Sequence, residues 1–126
     1  MIKYREPFEV VASLKVKDLK RAEKFYTEIL GFKRGYEAAI EHGWLELDLP
    51  IKNFTIGLSL LEEGEIIHGA TTLNIGIKNA EETRKYLKEN NVEVSEISII
   101  QNIVKTLFIF DTEGNRIVFV ENISDN

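Results

Sequence analysis

Few side chains in this sequence are equipped for chemistry, and their types narrow it quickly. There is no cysteine, which removes thiolate nucleophiles, thiolate metal ligands and disulfides together. The only histidines are His42, beside Gly43, and His68, before Gly69. Both positions read as loops, where a histidine is ordinarily solvated. Trp44, Glu46 and Asp48 follow His42 at a spacing of two. On a pocket wall a carboxylate such as Glu46 acts as a general base or pairs with a cationic group. An indole such as Trp44 stacks on a flat ligand or holds a cation. Each has a plainer use: packing or a subunit interface for Trp44, an exposed strand rim for Glu46. A metal site remade from His68, Glu46 and Asp48 is open chemically, yet no spacing demands it.

The chain that must position them has 126 residues, enough for one domain with a shared core. With 44% hydrophobic and 29% charged residues it is globular in composition. The net charge is −5 and basic residues are scattered among acids, so nucleic acid is not the expected partner. The acidic balance attracts cationic guests at long range, although solubility alone explains it. No apolar run approaches the ~20 residues that span a bilayer, and the first seven residues carry no signal-peptide core. The expectation is a cytoplasmic protein with no membrane partner.

Residues 8–16 place Ala12, Leu14 and Val16 on one face of a strand. Asp18 stands where an N-cap belongs, and Leu19, Ala22, Phe25, Tyr26, Ile29 and Leu30 form a helical stripe that Gly31 ends. Strand-like runs follow at about 34–40, 43–49 and 54–61, then an acidic linker at 62–70. The pattern then restarts. Leu73, Ile75 and Ile77 alternate, Asn79 caps a second helix with Glu82 three residues on, and strands are predicted at about 93–100, 104–110 and 116–121. Residues 111–115, Asp-Thr-Glu-Gly-Asn, read as a hairpin turn.

Laying Val16 on Ile77 sets an offset of 61 residues (77 − 16), which also places Leu14 on Ile75, Asp18 on Asn79, Phe25 on Tyr86 and Leu58 on Phe119. Two copies of strand–helix–three strands result, one at about 8–61 and one at about 71–121. Each covers one sheet face with its helix. An α+β domain of two βαβββ modules is expected, its curved mixed sheet placed around a cavity.

The run Val16-Lys17-Asp18-Leu19 with Phe25-Tyr26-Thr27-Glu28-Ile29-Leu30-Gly31-Phe32, and the turn Asp111-Thr112-Glu113-Gly114-Asn115-Arg116-Ile117, resemble the vicinal oxygen chelate superfamily of glyoxalases, bleomycin resistance proteins and extradiol dioxygenases. The resemblance covers about residues 8 to 121 and implies the paired-module fold. In its enzymes a divalent metal is held by His and Glu of the first and last strands of each module. The resemblance puts those four positions at Val11, Gly57, Thr72 and Val118. None is a metal ligand, which needs imidazole, carboxylate or thiolate, so no metal or other cofactor is expected.

Strand parity turns Val11, Ser13, Lys15, Trp44, Glu46, Asp48, Thr55, Gly57 and Ser59 to the cavity from the first module, with Tyr36 a further possibility at its mouth. From the second it turns Thr72, Asn74, Gly76, Arg116 and Val118, with Leu107 and Ile109 assigned to the same face. An apolar floor, one aromatic wall and a few polar handles suit a small organic ligand, cationic or aromatic. Three functions compete. The first is a metal-free, non-enzymatic binding protein, formed as a homodimer as the family often is. The second is a lyase, isomerase or dioxygenase whose site is remade or metal-independent, with Glu46 as base. The third is a regulatory or interaction module.

Overall fold

Leu14 and Val16 alternate with Ser13 and Lys15, and this period of two makes β1 (Ala12–Val16), with Leu14 and Val16 buried. The computed structural model describes residues 1–3, 11–51 and 54–124, and only the backbone of 36–39, so the predicted start of this strand at 8–10 lies outside the described residues. Asp18 caps α1 (Leu19–Lys24), its carboxylate accepting from the Arg21 N–H at 3.0 Å. Beyond Lys24 the helix widens into a π-helical turn, Phe25–Ile29. Gly31, at φ +78°, then leaves it in the left-handed conformation that glycine adopts without strain.

The first module continues with β2 (Lys33–Ala39), β3 (Trp44–Asp48) and β4 (Thr55–Leu60). The second repeats the order as β5 (Thr72–Gly76), α2 (Ala80–Glu89), β6 (Ser98–Ile100), β7 (Val104–Phe110) and β8 (Arg116–Asn122). Asn79 caps α2 by accepting from the Glu82 N–H at 2.9 Å. The strand predicted over 93–100 is shorter than expected: Val94 makes only an isolated bridge to Ile109, and regular pairing starts at Ser98. The reason lies at Ser95, whose hydroxyl accepts from the Phe108 N–H at 2.8 Å where a ladder carbonyl would otherwise serve.

Each module forms a four-stranded mixed sheet, in the orders β1-β4-β3-β2 and β5-β8-β7-β6, and the two sheets are not closed into a barrel. Registers carry the repeat into space. Leu14 lies opposite Leu58, and Ile75 opposite Phe119, in parallel pairs that keep the offset of 61 (75 − 14 and 119 − 58). One face of each sheet is covered. Leu45, Leu47, Ile56 and Leu58 join Ala22 and Phe25 of the first module, and Leu107, Ile109, Ile117 and Phe119 join Leu87 of the second, all in one core. The α+β class and the two βαβββ modules are thus observed. Among the described residues no helix is long and apolar enough to cross a membrane.

The loop 111–115 locks the modules together. Asp111 Oδ1 accepts from the backbone N–H groups of Glu113 and Asn115, both at 2.8 Å. Its Oδ2 accepts from the Tyr26 hydroxyl at 2.6 Å and from Asn115 Nδ2 at 3.0 Å. Asn115 Nδ2 also donates to the Lys15 carbonyl at 2.9 Å. Glu113 receives Arg21 through two N–H donors, at 2.7 and 3.0 Å, and accepts from the N–H groups of Lys17 and Asp18.

Burial pushes the Glu113 carboxyl up, but Arg21, Thr112 and the two backbone donors outweigh it and hold it below the ordinary glutamate range. Burial, with the Asp111 carboxylate close by, pushes the Tyr26 hydroxyl far up, so it stays a donor at any working pH. A depressed folded value stabilises the protein above the unfolded glutamate pKa, about 4.3, and that stability is lost as pH falls through the folded value. Glu113→Gln is therefore expected to flatten the acid limb of the stability curve below about pH 4. Urea unfolding at stepped pH reads this directly, and an unchanged limb would assign acid sensitivity to other carboxylates.

Candidate functional site

Alternate side chains of β1, β4 and β3 leave the core and meet on the open face of the first sheet. The registers set them in rows, Ser13–Gly57–Glu46 and Lys15–Ser59–Trp44. Lys15 Nζ donates to Ser59 Oγ at 3.0 Å, and Thr55 Oγ1 donates to Asp48 Oδ1 at 2.8 Å. The indole of Trp44 lies back across the sheet over Gly57. A Cβ added at residue 57 would come within 2.7 Å of Cζ2 and 2.9 Å of Cζ3, so only glycine leaves room for the ring. Indole Nε1 donates to Glu46 Oε2 at 3.0 Å, which fixes the ring's orientation and gives the carboxylate a partner.

The second sheet presents the rows Thr72–Arg116–Phe110 and Asn74–Val118–Phe108. Arg116 Nε donates to Thr72 Oγ1 at 3.1 Å. Phe110 meets Phe108 edge to face at 5.9 Å between centroids and meets the His68 ring at 4.1 Å. With Glu93 and Thr112 these rings line a cavity of about 730 Å³. Among the described residues, none of the main cavities is lined by both open faces.

Of the predicted site residues, Ser13, Trp44, Glu46, Gly57 and Ser59 come together on the first sheet, and Thr72, Asn74 and Val118 on the second. Val11, half-buried, directly precedes β1. Tyr36 falls on β2 with its side chain outside the described residues. His42 is exposed beside Glu41, with 3.9 Å between His42 Nε2 and Glu41 Oε1.

Leu107 and Ile109 are placed otherwise than expected. Each is 1% exposed, inside the core, while Phe108 is 40% exposed on the open face. The reason is one residue of loop length. Leu45 and Leu107 pair with the equivalent residues Leu58 and Phe119, so β3 and β7 are offset by 62 (107 − 45), not 61. A one-residue slip exchanges the two faces of a strand. Phe108 and Phe110 are the site residues that reasoning from the repeat missed. The signal was present: closing the turn on Phe110 and Arg116 pairs Val118 with Phe108.

A divalent metal does not fit the four positions that the family resemblance indicates. Val11, Gly57, Thr72 and Val118 supply no imidazole or carboxylate, the Trp44 ring lies over Gly57, and the Thr72 hydroxyl is engaged by Arg116. Among the described residues no three His, Asp or Glu side chains are grouped to hold an ion. What the first sheet does offer is an aromatic face with a carboxylate at its edge, an arrangement that binds flat or cationic groups.

Solved structures of similar architecture agree with this fold. An integron cassette protein from the metagenome of the Halifax Harbour sewage outfall superposes with a TM-score of 0.75 at 21% identity, over 90% of this chain and 99% of its own. Lactoylglutathione lyase from Agrobacterium tumefaciens gives 0.72 at 14% identity, over 93% and 96%. TnmS3, an antibiotic binding protein from Streptomyces sp. CB03234, gives 0.69 at 21% identity, over 94% and 99%. No curated protein matches the chain. The model of one family matches residues 10–119, both modules and the locking turn included. The chain therefore belongs to the Glyoxalase/Bleomycin resistance protein/Dioxygenase superfamily.

Proposed function

We propose that this chain is a metal-free small-molecule binding protein that takes a flat, cationic organic ligand on the open face of its first sheet. One observation carries the reading: the Trp44 indole lies across Gly57 with its N–H bonded to Glu46. This leaves a π-face toward the ligand side and a carboxylate beside it, which together favour a desolvated planar cation by about 1–2 kcal/mol or more. Glu46, engaged by the indole N–H, is better placed to hold the ring and a positive charge than to remove a proton. A fold neighbour, TnmS3, is an antibiotic binding protein, which is consistent with this use of the architecture. The protein works in this reading as a cytoplasmic homodimer. Among the described residues the open faces of one chain share no main cavity, and in this reading the exposed Phe108 and Phe110 of a second copy supply the missing wall.

Trp44 is the only tryptophan, so its emission reports on the site alone. Titration with N-methylquinolinium is expected to quench Trp44 saturably with one equivalent per chain. Glu46→Gln is expected to weaken binding about tenfold, equivalent to 1.4 kcal/mol for an apposed charge. Binding that survives Trp44→Ala unchanged, or no saturable binding at all, would overturn the proposal.

Gly57→Ala gives a second handle. The added Cβ forces the ring off the sheet, and because Trp44 is only half-buried the ring swings out at modest cost. The expected result is a red-shifted emission, loss of probe binding and nearly unchanged thermal stability. An unshifted spectrum would show that the ring does not rest on Gly57.

A further inference from the structure

The two modules are joined at two equivalent seams, and only one is filled with polar groups. At the first, Asp111, Glu113 and Asn115 enter the junction between β1 and α1 with every buried side-chain atom bonded. The β3–β4 connection stands in the same relation to the end of β5. By the offset of 62 before the turn, Leu49 takes the place of Asp111 and Ile51 that of Glu113; by the offset of 61 after it, Phe54 takes the place of Asn115. Three polar residues are thus replaced by three apolar ones.

The consequence is visible in space. A hollow of about 270 Å³ lies at this second seam, walled by Leu30, Phe32, Leu49, Ile75, Ile77 and Phe119, and every described residue that lines it is apolar. At its mouth Ile51 is 45% exposed, and Phe54, which shares the adjoining crevice with Ile51 and Leu49, is 61% exposed. A polar plug needs no guest. Here an apolar trio leaves a hollow that no described residue fills, and it turns two large side chains to solvent.

We propose that this second seam binds the hydrocarbon tail of a small amphiphile, a medium-chain carboxylate, at a site separate from the Trp44 face. Among the described residues the lining carries no hydrogen-bonding side chain, so it selects by shape and apolarity rather than by polar groups. Since roughly 150 Å³ accepts a benzene ring, a hollow of this size takes a chain of roughly eight carbons. Exposed Lys33 and Lys78 follow the lining residues Phe32 and Ile77 in sequence and draw the negative head to their end of the seam, away from Asp48, whose carboxylate lines the adjoining crevice. Occupancy bridges Leu30 of the first module, just after the π-helical turn, and β5 of the second, so the guest stabilises the seam it fills.

The test is a chain-length series of straight-chain carboxylates, butanoate to decanoate, titrated into the whole protein and followed by amide chemical shifts and calorimetry. Affinity is expected to rise roughly fourfold per methylene and to level off near octanoate, with shifts centred on Phe32 and on residues 75–77. Ile51 lines the hollow at its mouth and is 45% exposed, so Ile51→Ser is tolerated and is expected to weaken octanoate binding several-fold. Phe54→Ser, at an exposed position, is expected to weaken it several-fold without unfolding the chain. Absence of saturable octanoate binding, an affinity independent of chain length, or shifts confined to Trp44 and Gly57 would each overturn the proposal. So would unchanged affinity in both variants.

Discussion

Asp111→Ala is expected to lower the unfolding free energy by about 4 kcal/mol, a large share of the roughly 5–15 kcal/mol that holds a domain folded. The carboxylate accepts from Tyr26, from the Asn115 amide and from two backbone N–H groups in the buried turn. Its loss strands all of these donors at once. A buried orphaned donor costs about 1–3 kcal/mol, and entry of water into the shortened side chain's place keeps the total below the full sum. Asp111→Asn preserves shape and one acceptor, so about half the loss is expected there. Equilibrium urea unfolding of both variants measures the effect. A loss under 1 kcal/mol for the alanine variant would mean that Arg21 and Glu113 hold the seam unaided.

The second large effect separates two neighbours. Leu107→Ala is expected to cost about 3 kcal/mol, because it empties a fully enclosed volume between α2 and β7. Phe108→Ala removes a larger side chain, but one that is 40% exposed beside an open cavity, and about 1–2 kcal/mol is expected for the single chain. The order is the opposite of what side-chain size suggests. Thermal unfolding of the pair settles which face of β7 is covered, and a greater loss at Phe108 would reverse the assignment. In a dimer closed over the open faces the Phe108 variant is expected instead to dissociate at higher protein concentration, which sedimentation detects.

The repeat was legible because its markers are local. Asp18 and Asn79 accept from the third helical residue in both modules as their types suggested, and the parallel pairs β1–β4 and β5–β8 reproduce the offset of 61. The β7 assignment failed where the local signal vanishes. Leu107, Phe108, Ile109 and Phe110 are apolar on both faces, so alternation decides nothing and loop length decides everything. The π-helical turn was invisible for a similar reason, since Phe25, Tyr26 and Ile29 keep a spacing that an α-helix shares. At the candidate site, Gly57 was recognised as a position without a ligand. That the Trp44 ring lies over it depends on a rotamer, which spacing does not encode.

The locking turn also imposes an order in time. Tyr26 meets its partner 85 residues later in the chain, and Arg21 meets Glu113 after 92. A ribosome adding about 5–20 residues per second leaves the first helix waiting on the order of ten seconds for these contacts. Throughout that interval the nascent first module carries an uncapped junction and a tyrosine hydroxyl with no acceptor. The seam therefore closes only after the closing hairpin has emerged, and a chain stalled before residue 111 is expected to be more prone to aggregation than the full chain.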